Sequence, residues 1–81
     1  MSMEEIFKTI QSLIAEQFAV EIEEVTMETA LEEDLGADSV DLVELVMAME
    51  EEFEIGEVGE EELGGMKTVG DDVNFIASRM K

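Results

Sequence analysis

Apolar residues recur every three or four positions near the start of the chain, which is the spacing of one face of a helix. Ser2 and Glu5 form an S-x-x-E pattern just before them, and this pattern is typical of a capped helix start. A first helix is therefore predicted from about Met3 to about Gln17. The apolar residues of its face are Ile6, Ile10, Leu13, Ile14 and Phe18.

The most regular apolar face follows Gly36. Asp38 is a good N-cap residue, and Asp41 stands at the third helical position after it. A helix is predicted from about Ser39 to about Phe53, while Val40 and Met47 lie off its apolar face. The apolar face consists of Leu42, Leu45, Val46, Met49 and Phe53.

The segment from Phe18 to Asp38 has apolar residues without a single period. A structureless loop of this length would be unusual in a compact domain, so we expect an ordered loop that is pinned across the helices. A helical turn is expected near Thr29 to Asp34, and Gly36 supplies a turn residue. The apolar residues of the loop are Val20, Ile22, Val25, Met27, Leu31 and Leu35.

Glycines interrupt the segment after Phe53, so only a short third helix is predicted, near Glu60 to Leu63. Thr68 then caps a last helix, with Asp71 three residues later. Arg79 and Lys81 lie at the C-terminal end of this helix, where positive charge suits the helix dipole. Its predicted buried stripe is Val69, Val73, Ile76 and Met80.

These patterns together predict an all-α fold. The 81 residues, 46% of them hydrophobic, suit one domain over residues 1–81. The expected architecture is a small four-helix bundle with three long helices, a short third helix and a long ordered loop between helices 1 and 2. No segment is predicted to form a strand.

The charge of the chain restricts its partners. The net charge is -19, and residues 9–66 contain no Lys or Arg but all except four of the 23 acidic residues. Phosphate groups are bound through Lys and Arg, so no nucleic-acid partner is expected. No apolar run is long enough for membrane insertion. Protein partners with basic surfaces are the natural complement.

The chain lacks the residues of most catalytic sites, since it has no His and no Cys. Ser39 therefore has no neighbouring base, and Lys8 and Lys67 form no motif with it, so no catalytic residue is predicted. No disulfide is possible, which fits a reducing cytoplasm. No metal site is predicted either, although both loose divalent-ion binding by carboxylates and diffuse counterions remain open.

The stretch "LGADSVDLVELVMAMEEEF" resembles the signature of acyl carrier proteins, in which a D-S-(L/V) serine begins the second helix. The resemblance covers nearly the whole chain and includes "KTVGDDVNFI" near its end. In detail, the chain looks like the free-standing carrier of dissociated (type II) fatty acid synthesis. The segment after Phe53 departs from the family pattern, because it contains glycines and no proline.

The resemblance implies that the Ser39 hydroxyl is the attachment point of a 4'-phosphopantetheine arm, whose thiol holds acyl groups as thioesters. A separate phosphopantetheinyl transferase, or acyl carrier synthase, would supply coenzyme A, magnesium and the activation that this chain lacks. The chain would then be a monomeric carrier without turnover of its own. It would shuttle acyl chains among fatty acid synthesis enzymes that have basic docking patches.

The resemblance also implies two surfaces. The first is a docking face on the second helix, and the positions that match it are Asp38, Val40, Asp41, Glu44, Met47, Glu50 and Glu51. The second is a lining for the acyl chain between the helices, closed by either Ile55 or Val58. Its candidates are Leu45, Val46, Met49, Val58, Met66, Val69 and Ile76.

Two alternatives to the fatty acid carrier remain open at this stage. One is a specialised carrier for polyketide, lipid A, D-alanine or another acyl cargo. The other is a non-carrier acidic interaction module or a divalent-ion buffer, to which the high content of Asp and Glu would also be suited.

Overall fold

The computed structural model describes residues 2–80, except for the side chain of Glu60, and Lys81 lies outside the described residues. These residues confirm the all-α prediction, with one isolated bridge between Ala30 and Thr68 and no strand. A 3₁₀ turn at Ile22–Glu24 accompanies five α-helices. The helices are α1 Met3–Phe18, α2 Leu31–Leu35, α3 Ser39–Phe53, α4 Glu60–Gly64 and α5 Val69–Arg79.

The helix starts form as their sequence patterns predict. The N–H of Glu5 donates to Ser2 Oγ (3.2 Å), and the N–H of Ser2 donates back to Glu5 Oε1 (2.9 Å). The same reciprocal pair joins Thr68 and Asp71 at the start of α5. Each reciprocal pair provides hydrogen-bond partners for N–H groups that have none inside the helix. These local side chains therefore determine where α1 and α5 begin.

The loop between α1 and α3 is ordered, as expected, because hydrogen bonds pin it on both sides. Gln11 Nε2 of α1 donates to the carbonyls of Ile22 (2.9 Å) and Val25 (2.8 Å). On the other side, the N–H of Gly70 donates to the Met27 carbonyl (2.8 Å). A Cβ at position 70 would lie only 3.0 Å from that oxygen, so the close approach depends on the glycine.

The core lies where α1 packs against α5 and α3. Its innermost side chains are at most 2% exposed. Burial of each large aliphatic side chain contributes roughly 1.5–3 kcal/mol, so these core residues are a main source of stability. The core residues at this level of burial in the three long helices are Ile6, Ile10, Ile14, Leu45, Met49, Val69, Val73 and Ile76.

One carboxyl group lies inside this apolar packing. Asp72 of α5 is 1% exposed, and its Oδ2 atom has no hydrogen-bond partner among residues 2–80. Burial, with a smaller contribution from the charge of Asp71, raises the pKa of Asp72 to about 8. Asp72 is therefore mostly neutral in the folded chain at pH 7, whereas in the unfolded chain its pKa is about 4.

The stability of the fold should depend on pH because Asp72 titrates differently in the folded and unfolded chains. Protonated Asp72 contributes to the free energy of unfolding. This contribution is fully present below the pKa that Asp72 has in the unfolded chain, and it is lost as the pH rises towards about 8. Asp72→Asn keeps the shape of the side chain and replaces the carboxyl group by an amide that does not titrate in this pH range. We expect the free energy of unfolding, measured with urea, to fall less steeply between about pH 5 and pH 8 in Asp72→Asn than in the natural chain.

Glu52→Gln is the matched control, because it removes an exposed carboxyl from the same chain. Below about pH 8, Asp72→Asn leaves the charge of the folded chain nearly unchanged, whereas Glu52→Gln removes one negative charge. A general relief of repulsion would therefore flatten the profile of Glu52→Gln, and a neutral Asp72 would flatten that of Asp72→Asn. Parallel profiles for the natural chain and Asp72→Asn would contradict the assignment of a neutral carboxyl to Asp72.

Candidate functional site

Ser39 is the first residue of α3, and its side chain is exposed. The helix start beneath it is fixed by a reciprocal pair of hydrogen bonds. The N–H of Asp41 donates to Asp38 Oδ1 (2.9 Å), and the N–H of Asp38 donates to Asp41 Oδ2 (3.2 Å). Gly36, with φ of 70°, ends α2 in the left-handed conformation just before this turn. The hydroxyl is thus presented to solvent on a rigid helix end.

The backbone around Ser39 suits an anionic group. The first N–H of α3 that reaches a carbonyl of the preceding turn is that of Leu42, which donates to Asp38 (3.0 Å). The N–H groups of Ser39 and Val40 meet no acceptor in the part of the chain that the structure describes. These N–H groups and the helix dipole favour a phosphate ester at Ser39, against the repulsion of the two cap carboxylates.

The described residues bring no catalytic group to Ser39. No hydrogen bond joins its hydroxyl to another side chain within residues 2–80, and no cluster of potential metal ligands occurs there. Activation of the hydroxyl by another protein stays a prediction. In the same residues, no helix is long and apolar enough to span a membrane.

Four of the predicted docking positions lie together on one side of α3. Val40 is 62% exposed and Met47 is 54% exposed, although both are apolar. Glu44 and Glu51 are exposed beside them. An exposed methionine between carboxylates can adapt its shape to more than one partner surface. We refer to Val40, Glu44, Met47 and Glu51 below as the acidic face of α3.

The remaining docking candidates have structural contacts as well. Asp38 and Asp41 form the cap described above, with Asp38 exposed and Asp41 half-buried. Glu50 is half-buried, and its Oε2 atom accepts a hydrogen bond from the N–H of Val58 (2.7 Å). Glu50 therefore connects α3 to the segment before α4, in addition to contributing negative charge.

An apolar groove runs from Ser39 between α3 and α4. Its first part has a volume of about 380 Å³. A second part of about 350 Å³ continues along α3 and shares Val43 and Leu63 with the first. The first part is lined by Ser39, Leu42, Val43, Leu63 and Gly64, and the second by Val43, Val46, Met47, Glu50, Glu57, Val58 and Leu63.

The groove includes only part of the predicted acyl lining. Val46 and Val58 line it, and Ile55 does not, so Val58 is the residue of that pair that borders the groove. The other predicted lining residues form buried core, and Met66 in addition borders a smaller cavity of about 90 Å³ next to Lys67. These buried residues are Leu45, Met49, Met66, Val69 and Ile76.

Sequence reasoning missed the two residues that line both parts of the groove. Val43 is 44% exposed at the edge of the apolar face of α3, and Leu63 is half-buried on α4. The sequence offers one signal for each of them. Val43 is an apolar residue beside the apolar stripe of α3, and Leu63 is an apolar residue in a short polar helix. Only the structure shows that the two side chains border the same groove.

Polar contacts hold α4 in place on its other side. Glu62 Oε1 accepts the N–H of Gly59 (3.1 Å), and Glu62 Oε2 pairs with the guanidinium of Arg79 on α5. The hydrogen bond from Arg79 is the main reason why the pKa of Glu62 is lowered. Arg79 also lies over the ring of Phe75, 4.8 Å from its centre. These polar contacts, together with the packing of Leu63 against the core, hold the wall of the groove that α4 forms.

Comparison with known proteins identifies the family. A family model described as a phosphopantetheine attachment site matches residues 8–76. The acyl carrier protein of Prochlorococcus marinus (strain MIT 9515) is 49% identical over 79 residues, which is 98% of each chain. The solved structure of the acyl carrier protein from Enterococcus faecalis superposes with a TM-score of 0.81 and 33% identity, over 98% of this chain and 99% of that one.

The matched region contains Ser39, the acidic face of α3 and both walls of the groove. The family carries acyl groups on a phosphopantetheine arm, and this agrees with an exposed serine that has no catalytic neighbour. By the family model, the curated relative and the solved structure alike, the chain belongs to the acyl carrier proteins.

Proposed function

We propose that Ser39 bears the 4'-phosphopantetheine arm and that the chain, as one domain over residues 1–81, carries acyl intermediates of fatty acid synthesis without catalysing a reaction. The observation that carries this proposal is the exposure of the Ser39 hydroxyl at a capped helix start, inside the region matched by the family model. A phosphodiester at this position is stabilised by the N–H groups of the first turn of α3.

The proposed partners are a phosphopantetheinyl transferase, or acyl carrier synthase, and the fatty acid synthesis enzymes. The acidic face of α3 favours partners with basic patches around an apolar pocket, since Val40 and Met47 lie among its carboxylates. Each exposed ion pair contributes at most about 1 kcal/mol, so the charges mainly steer association and permit rapid release. A monomeric state and a cytoplasmic location stay predictions.

The proposed path of the acyl chain is the groove between α3 and α4. It begins at Ser39, its first part is lined mainly by apolar side chains, and its far part reaches the carboxylates of Glu50 and Glu57. Apolar surface favours a hydrocarbon chain over water. A specialised acyl cargo stays an alternative, whereas membership of the carrier family favours a carrier over a non-carrier acidic module.

Attachment at Ser39 predicts a mass change that depends on this hydroxyl. Incubated with coenzyme A, Mg²⁺ and a phosphopantetheinyl transferase, the natural chain should gain the mass of one phosphopantetheine group. Ser39→Ala should gain nothing, because the nucleophilic oxygen is absent. Ser12→Ala is the matched control, since Ser12 is also exposed but lies within α1, and it should be modified fully. Modification of Ser39→Ala would contradict the assignment.

The acidic face predicts a salt-dependent effect of charge reversal. Glu44→Lys should raise the KM of the chain for the transferase about three- to tenfold at low salt, because it replaces attraction to a basic patch by repulsion. The increase should shrink at high salt, where charges are screened. Circular dichroism should show an unchanged fold. Initial rates at two ionic strengths give the measurement.

Glu52→Lys provides the control for this experiment. It causes the same change in net charge on the same helix, but Glu52 is not part of the acidic face of α3. We expect its KM to rise less than that of Glu44→Lys. Equal increases for both variants would mean that net charge, rather than a defined face, governs the encounter.

The proposed acyl path predicts which amide groups of the protein change their chemical shifts when an acyl group is attached. Amide chemical shifts of the phosphopantetheine form and of its octanoyl thioester should differ most along the groove, at Leu42, Val43, Leu63 and Gly64. The reason is that the hydrocarbon displaces water from these residues. Changes centred on Leu45, Met49 and Ile76 instead would place the cargo in the core.

A further inference from the structure

A glutamine of α1 reaches the helix turn that presents Ser39. Gln17 is half-buried in the last turn of α1, and its Nε2 atom donates to the main-chain carbonyl of Asp41 (2.8 Å). Within residues 2–80, this is the only side-chain hydrogen bond that joins α1 to α3. It connects residues 24 positions apart in the sequence.

We propose that Gln17 is a positioning residue for the modification of Ser39, because it holds the first turn of α3 at a fixed place and rotation relative to α1. The inference rests on the proposed function of Ser39. It concerns a residue outside α3 whose side chain, within residues 2–80, donates a hydrogen bond only to the main chain of Asp41, so that its effect on modification is transmitted through that backbone.

The physical reason is the difference between apolar and polar contacts. Helices α1 and α3 also share the apolar core, to which Ile14 and Leu45 belong, and apolar attraction has no preferred direction. A hydrogen bond has a narrow range of distance and angle, so the amide of Gln17 selects one arrangement of the helix start.

Precise placement matters because modification needs two contacts at once. A transferase that binds the acidic face of α3 must also reach the Ser39 hydroxyl, which lies at the end of the same helix. Small errors in the position of a reacting group lower the rate of the chemical step even when binding is unchanged. Loss of the Gln17 contact should thus lower kcat for arm transfer and leave KM close to that of the natural chain.

The fold should survive the loss of this contact. The carbonyl of Asp41 lies inside α3, where it also faces the N–H four residues later in the regular helical pattern. Removal of the Gln17 amide therefore leaves no buried carbonyl without a partner. Gln17→Met keeps the length and most of the volume of the side chain, so the apolar packing around it is retained.

Gln11 offers a matched control on the same helix. Its amide donates to two main-chain carbonyls, those of Ile22 and Val25, and neither belongs to α3. Gln11→Met removes two hydrogen bonds of the same type and should lower the melting temperature at least as much as Gln17→Met. The start of α3 should keep its position in Gln11→Met, and arm transfer should keep its natural rate.

The experiment measures kcat and KM of arm transfer from coenzyme A for the natural chain, Gln17→Met, Gln11→Met and Gln17→Lys. We expect kcat to fall about three- to tenfold in Gln17→Met, the equivalent of one hydrogen bond, with KM unchanged. Gln17→Lys retains a donor within reach of the carbonyl and should restore most of the lost kcat. Melting temperatures are recorded for all variants.

The outcomes separate positioning from stability. A natural kcat in Gln17→Met would overturn the inference, and so would an equal fall of kcat in Gln11→Met, since that would follow from stability alone. A rise in KM without a fall in kcat would also overturn it. If the natural chain itself fails to gain the arm, the proposed function of Ser39 has failed. If the natural chain gains the arm and Gln17→Met behaves like it, only the role of Gln17 has failed.

Discussion

The packing of one isoleucine stripe of α1 is the interaction on which the other features depend. Ile6, Ile10 and Ile14 are at most 2% exposed and lie between α3 and α5. A chain with a net charge of -19 repels itself, so its fold requires a strong apolar attraction that does not involve charge. The stripe provides this attraction and leaves the surface free to carry carboxylates.

The two sides of α3 show how the separation of an apolar core from an acidic surface suits a carrier protein. One side contributes Leu45, Met49 and Phe53 to the core, which holds the helix in place. The opposite side carries the acidic face, where the apolar side chains of Val40 and Met47 are exposed. Because the core holds α3 without these residues, the docking that we propose for the acidic face would require no change of fold.

The sequence predicts what depends on neighbours in the chain and misses what depends on neighbours in space. Periodicity and capping boxes predict α3 from Ser39 to Phe53 correctly, because both act within one helix. The groove residue Leu63 and the bond from Gln17 to Asp41 depend on contacts between helices, which no local pattern records. Asp72 shares the buried stripe of α5, yet its charge suggests exposure, and only packing shows otherwise.

Rigid and adaptable parts of the candidate site meet along the groove. The end of α3 that bears Ser39 is held by its cap and by the bond from Gln17, whereas α4 has only five residues. The bond from Val58 to Glu50 and the pair of Glu62 with Arg79 hold that wall, and polar contacts of this kind contribute about 1 kcal/mol each. On the proposed acyl path, displacement of α4 would break these polar contacts and would leave the cap of α3 and the Gln17 bond in place, because those bonds involve other residues.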